Sequence, residues 1–95
     1  MLEKQLELYF MRVMEMKNCL CWKFVSPGMA GVPDRIVIPP WGRVIFVELK
    51  APGKRLRKLQ KVRREQLKAQ NVDVWVIDSK EKVDKFVQYY GLDLI

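Results

Sequence analysis

The sequence contains no histidine and only two cysteines, Cys19 and Cys21. Two thiolates cannot complete the tetrahedral ligand set of a structural zinc ion, so a zinc site is not expected. In an extended segment the two side chains point to opposite sides, which disfavours a disulfide between them. No apolar run approaches the ~20 residues of a membrane span, and charges at Glu3 and Lys4 argue against a signal peptide. We therefore expect a reducing, cytoplasmic setting.

Acidic residues are also in short supply. The 95 residues include 18 Lys and Arg against 11 Asp and Glu, a net charge of +7. This charge favours a polyanionic partner, for which nucleic acid is the first candidate and a membrane surface the alternative. The length predicts a single domain, residues 1–95, with a modest core.

Hydrophobic spacing predicts an α/β protein. Apolar residues at helical intervals predict a helix over 2–17 that ends at Asn18. Further helices are expected at 55–70 and at 79–90, the last with Ser79 as N-cap and Gly91 as its end. Short apolar runs between turn residues predict strands at 20–25, 34–38, 43–50 and 73–77. The order α-β-β-β-α-β-α predicts a mixed β-sheet flanked by helices.

Three charged residues stand out because they lie in or beside apolar strands. Glu48 and Lys50 are two residues apart on one strand and project from the same face. If a tight hairpin joins strands 34–38 and 43–50, Asp34 lies opposite Glu48. Like charges that face each other across a sheet destabilise it. The pair is explained if a divalent cation binds between the two carboxylates.

Magnesium suits such a pair, since it is held by one or two carboxylates together with water and phosphate. A metal ion there, with Lys50 beside it, points to hydrolysis of a phosphodiester. The alternative is that Glu48 and Lys50 form an exposed ion pair with no catalytic role, and that Gly31, Pro33 and Asp34 only shape a turn.

The chain resembles the VRR-NUC domains, a branch of the PD-(D/E)XK nuclease superfamily. The resemblance covers nearly the whole length and depends on the segments EKQ at 3–5, KFVSPG at 23–28, GVPDR at 31–35, FVELKAPG at 46–53, LQ at 59–60 and VWVID at 74–78. It implies a restriction-endonuclease-like core and a cytoplasmic protein of a bacterium or a phage-infected host cell. It also implies Mg²⁺ as cofactor, with Mn²⁺ as a substitute, and no organic cofactor.

The resemblance also implies roles for individual residues. Asp34 and Glu48 match the metal-binding carboxylates, with the main-chain carbonyl of Leu49 as a further ligand. Lys50 matches the catalytic lysine. Glu3 matches a first-helix glutamate that completes the acidic cluster through water, and Gln60 matches a glutamine that positions the substrate or the lysine.

Two of these residues also have structural explanations. A carboxylate at Glu3 would stabilise a helix start through the helix dipole, and Gln60 could be an ordinary helix-surface residue. The three tryptophans, Trp22, Trp41 and Trp75, are predicted to lie in the core or in an interface rather than to stack on bases.

Half of all lysines and arginines, nine of 18, fall between Lys50 and Lys68. A run of charge is often only a solvated helix face, but its position after the acidic motif favours contacts with phosphates. The predicted DNA-binding residues are Lys54, Arg55, Arg57, Lys58, Lys61 and Arg64. The inner stripe of this helix is predicted to be Leu56, Leu59, Val62 and Leu67. The helix has no aromatic anchors, which argues against a membrane-surface role.

The function that follows is a Mg²⁺- or Mn²⁺-dependent endonuclease acting on DNA. The resemblance further implies that stand-alone members act as homodimers on branched DNA such as Holliday junctions. The alternative is a non-catalytic nucleic-acid-binding accessory module with a vestigial nuclease site. Because Asp34, Glu48 and Lys50 are all present, the sequence favours the enzyme.

Overall fold

The fold is described from a computed structural model that covers residues 1–95. The elements are α1 (Glu3–Met16), β1 (Leu20–Lys23), β2 (Arg35–Ile38), β3 (Ile45–Leu49), α2 (Lys58–Ala69), β4 (Asp73–Ile77), α3 (Lys80–Tyr89) and a short 3₁₀ helix (Leu92–Leu94). The predicted order of helices and strands is confirmed, and the 3₁₀ helix is an addition. None of the helices is long and apolar enough to cross a membrane.

The four strands form one mixed sheet in the order β1-β2-β3-β4. β1 pairs antiparallel with β2, and β2 pairs antiparallel with β3 in the register Arg35↔Val47 and Ile36↔Phe46. β3 and β4 are parallel, because α2 carries the chain back along the sheet between them. The predicted hairpin register is therefore confirmed.

Local stop signals set several of the boundaries. Asn18 and Gly91 adopt positive φ values of 60° and 67°, which end α1 and α3. The side-chain hydroxyl of Ser79 accepts a hydrogen bond from the N–H of Lys82 and caps α3, as predicted. α2 begins three residues later than predicted, at Lys58, because the turn around Gly53 (φ 79°) keeps the preceding segment out of the helix. Cys19 and Cys21 are both free thiols.

The apolar core lies on one face of the sheet, beneath α1 and α3. Val37 and Val47 are fully buried there. Phe10 of α1 meets Phe86 of α3 edge to face, with ring centroids 5.5 Å apart. Trp75 packs on the same aromatic group at 5.3 Å from Phe86. Burial of these side chains is the main source of stability, since each contributes roughly 1.5–3 kcal/mol.

α2 covers part of the opposite face, and none of its residues is fully buried. The predicted inner stripe is wrong for Leu59 and Val62, which are 40% and 43% exposed. Leu56, just before the helix, and Leu67 within it are half-buried as predicted, and the other half-buried positions of α2 are Gln60, Arg63 and Arg64. Two of these polar side chains make hydrogen bonds at the inner side of the helix, where Gln60 accepts from the N–H of Arg57 and Arg63 donates to the carbonyl of Ala30.

The core part of the tryptophan prediction is confirmed for Trp75, which packs against the core, and the interface part stays a prediction. Trp22 and Trp41 are 60% and 54% exposed, so neither belongs to the core of this chain. Trp22 lies on the edge strand β1 and Trp41 in the turn between β2 and β3, where the sheet has no further layer to cover them.

Candidate active site

The hairpin of β2 and β3 brings Asp34 and Glu48 together. Arg35 pairs with Val47, and the same register extended by one residue sets Asp34 opposite Glu48. A carboxylate oxygen of Asp34, Oδ2, accepts a hydrogen bond of 2.9 Å from the backbone N–H of Leu49. The backbone carbonyl of Asp34 accepts another of 2.8 Å from the N–H of Phe24 in the neighbouring segment. Both hydrogen bonds hold Asp34 in place directly before Arg35, the first residue of β2.

Glu48 is a buried carboxylic acid. Only 4% of the residue is exposed, and it lies in the middle of the sheet between β2 and β4. Burial raises its pKa most, the adjacent Asp34 carboxylate raises it further, and Lys50 partly opposes them; the resulting pKa of Glu48 is about 9. A carboxyl group with this pKa carries a proton at neutral pH. A positive charge is therefore favoured between the two carboxyl groups, as a proton or as a cation.

Lys50 follows on the same face of the chain. It is 8% exposed, and its backbone N–H donates a hydrogen bond of 3.0 Å to the carbonyl of Ile77 on β4. The charge of Lys50 is close enough to Glu48 to oppose the rise in the pKa of that carboxyl group. The predicted trio of Asp34, Glu48 and Lys50 thus lies within one small region at the carboxyl end of β3.

Glu3 joins this region from α1. Its carboxylate oxygen Oε1 accepts a hydrogen bond of 3.2 Å from the backbone N–H of Ala51, one residue after Lys50. Glu3 also contributes to the raised pKa of Glu48, after burial and Asp34. The start of α1 is thus tied to the chain just after β3. Glu3 remains exposed, unlike Glu48.

The main-chain carbonyl of Leu49 is directed toward the carboxylates. The N–H and C=O of one strand residue point to the same side, and the N–H of Leu49 points to Asp34. The neighbouring Lys50 directs its N–H the other way, toward β4. This alternation places the Leu49 carbonyl on the side of Asp34, as a ligand role would require.

The donor set fits a hard divalent cation. No three Asp, Glu, His or Cys side chains converge closely enough to hold a metal ion by themselves. Two carboxylates and one carbonyl oxygen are therefore the protein ligands available, with no nitrogen or sulfur among them. Mg²⁺ is bound by such small oxygen sets and completes its six positions with water and phosphate.

Comparisons with known proteins assign the chain to a family. The sequence matches the VRR-NUC domain family over residues 12–81. The chain belongs to the VRR-NUC family. It is 47% identical over 62 residues to a protein named "Putative nuclease p44" from Acyrthosiphon pisum secondary endosymbiont phage 1, covering 65% of this chain and 67% of that protein. A solved VRR-NUC domain structure superposes with a TM-score of 0.86 at 29% identity, covering 93% of this chain and 96% of the other.

Family membership supports a nuclease as the class of this protein and confirms the restriction-endonuclease-like mixed sheet flanked by helices. The matched residues 12–81 include Asp34, Glu48, Lys50 and Gln60, whereas Glu3 lies before them.

Gln60 lies in the first turn of α2 and is half-buried. Its side-chain oxygen Oε1 accepts a hydrogen bond of 2.8 Å from the backbone N–H of Arg57. None of the hydrogen bonds in the structure joins Gln60 to Lys50. The amide therefore caps the helix here, and its role toward substrate or lysine stays a prediction.

The cations predicted to bind DNA differ in exposure. Lys54, Arg55, Arg57, Lys58 and Lys61 are exposed, along the segment that leads from β3 into α2. Arg64 is half-buried, and its Nε atom is enclosed without a hydrogen-bond partner. The structure thus keeps five of the six at the surface and directs the sixth inward.

Arg63 is a residue that sequence reasoning missed. Its Nε donates a hydrogen bond of 2.9 Å to the carbonyl of Ala30, and its Nη1 donates one of 3.1 Å to Gln66. This arginine ties α2 to the loop that delivers Asp34. Arg63 lies three residues after Gln60 and four before Leu67, so the three residues share one helix face. This spacing could have indicated from the sequence that Arg63 faces inward.

Proposed function

We propose that this VRR-NUC protein is a divalent-metal-dependent endonuclease that hydrolyses phosphodiester bonds in DNA. The observation that carries the proposal is the buried Glu48, 4% exposed and opposite Asp34, with the nearly buried Lys50 beside it. A sheet gains nothing in stability from a buried carboxyl group that faces a second, half-buried one. The pair is understandable as a site built to hold Mg²⁺, or Mn²⁺ in its place.

The side chains have distinct tasks in this proposal. Asp34, Glu48 and the Leu49 carbonyl hold the metal, which when bound neutralises charge on the phosphate and makes water a better nucleophile. Lys50 stabilises negative charge that develops on the phosphate and orients the attacking water. Glu3 holds α1 against the segment that follows β3 and would contribute to a metal site through water.

The exposed cations between β3 and α2 supply the DNA contacts. The segment between Lys50 and α2 contributes Lys54, Arg55 and Arg57. The helix itself adds Lys58 and Lys61. Such side chains contact phosphates and add affinity without base recognition. Arg64 fits this role less well than the other five, because its guanidinium group is partly enclosed.

We extend the proposal to a homodimer that cuts branched DNA, including four-way junctions. The support is the family resemblance. Two copies related by a two-fold axis would present two active sites to a substrate with the same symmetry.

The test is a cleavage assay on linear, flapped, forked and four-way DNA with Mg²⁺ and with Mn²⁺. We expect wild type to cut at least the branched forms, and Asp34→Asn to lose cleavage while still binding DNA. Glu65→Gln, which changes the only acid of α2, is the matched control and should cut normally.

A second readout does not depend on cleavage. Mn²⁺ should raise the melting temperature of wild type and not that of Asp34→Asn, because only the former binds the ion. If wild type binds DNA but never cuts it with either metal, the non-catalytic binding module is the better description. Light scattering tests the homodimer separately.

A further inference from the structure

A cavity of about 310 Å³ lies between the sheet and the carboxyl-terminal half of α2, separate from the carboxylates. Phe24 and Phe46 line it from the sheet, Met29 from the loop, and Leu67 and Gln70 from the helix. Nothing in the proposed catalytic reaction uses this space. Its size is at the lower end for small-ligand sites, so it suits a single flat ring system.

The cavity adjoins the candidate metal site. Pro33, which lines it, directly precedes Asp34. Phe46 lies two residues before Glu48 on the same face of β3, a spacing of roughly 6.6 Å along a strand. A nucleotide whose phosphate lies at the carboxylates, or the next one along the strand, could therefore place its base in the cavity.

The lining is chemically suited to an uncharged aromatic ligand. Phe24 and Phe46 meet edge to face at 5.4 Å and form an aromatic wall. None of the ten lining residues is acidic, and the one cation, Arg63, is bound to Ala30 and Gln66. Nine of the ten lining residues are therefore uncharged.

The rim adds hydrogen-bonding groups. Gln66 and Gln70 are exposed and line the same cavity. The oxygen of Gln66 accepts from Arg63, which leaves its amide N–H groups to donate. Aromatic walls with side-chain amides at the rim are the features that recognise a nucleobase, through its π-face and its polar edge.

We propose that this cavity takes one unpaired nucleobase of the DNA bound at the metal site. The inference rests on the proposed function and names its substrate class: DNA with unpaired nucleotides next to the bond that is cut. The cavity lies between the sheet and α2, so a base must leave the helical stack to enter it. That step costs least for a base that is already unpaired.

The test compares two DNA molecules that differ only in bases. One is a duplex with a short unpaired gap, and the other is the same duplex with abasic residues in the gap. Binding is measured in EDTA, so cleavage does not enter. We expect wild type to bind the base-containing gap about tenfold more tightly. Equal affinity for both DNA molecules would overturn the proposal.

The matched variants are Phe24→Leu and Tyr89→Leu. The first removes an aromatic face from the cavity with little change in volume, and the second removes an exposed aromatic ring from α3. Phe24→Leu should lose most of the preference for bases, and Tyr89→Leu should keep it. A full preference in folded Phe24→Leu would contradict the proposal.

Gln70→Ala provides a second variant on the exposed rim, with Gln88→Ala on α3 as its control. We expect Gln70→Ala to reduce the preference about threefold and Gln88→Ala to leave it unchanged. If base preference disappears while metal-dependent cleavage persists, only the cavity inference fails. If the preference is intact and no DNA is cut with either metal, only the proposed function fails.

Discussion

The two faces of the sheet are covered in different ways. Under α1 and α3 the buried side chains, such as Val37, Val47 and Phe86, are apolar apart from Arg35, which forms an ion pair of 3.4 Å with Glu7 of α1. On the α2 face no helix residue is fully buried, and the buried group of β3 is the carboxylic acid Glu48. The same strand therefore contributes alternate residues to a closed apolar core and to an open polar site.

The difference shows how a chain of 95 residues accommodates a costly site. Buried carboxyl groups and half-covered apolar surface reduce stability, and so does a loop held in unusual backbone conformations. The α1 and α3 face compensates with a densely packed aromatic and aliphatic core. Changes on the two faces should consequently affect different properties.

The largest effect is expected for Phe86→Ala on the closed face. Loss of a fully buried ring that contacts Phe10, Trp75 and Tyr90 should lower the free energy of unfolding by about 3–5 kcal/mol. Chemical denaturation measures this change. The control is Leu59→Ala on α2, which is 40% exposed and should cost less than about 1 kcal/mol. Equal losses would remove the distinction between the faces.

Glu48→Gln should change activity instead of stability. We expect a loss of metal-dependent cleavage of about 10³-fold, which corresponds to ~4 kcal/mol of the barrier. In EDTA the free energy of unfolding should equal that of wild type or exceed it by about 1 kcal/mol, because a buried acidic group has been replaced by a neutral amide. Paired denaturation and cleavage measurements test this. A large drop in stability would show that Glu48 supports the fold.

Gly31→Ala tests the loop that joins the open face. Gly31 has φ +84°, and an added Cβ would lie 2.8 Å from Cγ of Leu59 and 3.0 Å from its backbone carbonyl. We expect a loss of about 1–3 kcal/mol in a denaturation experiment. Gly28→Ala is the matched control in the same loop, since nothing lies within 4 Å of its added Cβ. It should change stability by less than about 0.5 kcal/mol.

The smallest effect is expected for Tyr90→Phe, on the closed face. The Tyr90 hydroxyl donates to Asp73 and accepts a hydrogen bond of 2.9 Å from Trp75 Nε1. Its removal should cost about 1 kcal/mol at neutral pH. Tyr89→Phe, on the exposed neighbouring residue, should have no measurable effect.

The Tyr90→Phe effect should also depend on pH. Burial alone would raise the pKa of Asp73 in the folded protein. The hydrogen bonds from Tyr90 and Arg43 outweigh burial, so the pKa of Asp73 is lowered. The stabilisation that these hydrogen bonds provide is fully present above about pH 3.9, the pKa of an aspartate in the unfolded chain. It is lost as the pH falls through the pKa of Asp73 in the folded protein. The difference between wild type and Tyr90→Phe should therefore shrink in acid. Unfolding measured from pH 7 downward tests this sign, and a difference that grows in acid would contradict it.

Much of the open face was predictable from sequence because it depends on local rules. The side-chain period of two placed Glu48 and Lys50 on one face, and the short turn set the register that pairs Asp34 with Glu48. The inner face of α2 was predicted only in part, since Leu67 is half-buried as expected whereas Leu59 and Val62 are exposed. Which positions of the helix are covered depends on the sheet and loop packed against it, which helical spacing does not reveal.

By itself, the sequence determined the order of the elements, the family and the identity of the acidic pair, because periodicity, turns and motif residues act over short stretches of chain. Only the tertiary structure decided that Glu3 meets Ala51, that Arg63 ties α2 to the loop, and that Phe24 and Phe46 enclose a cavity. These contacts join residues that lie 22 to 48 positions apart, as the pairs Phe24–Phe46 and Glu3–Ala51 illustrate. They form only when the sheet and helices pack together, and that packing depends on the whole chain at once.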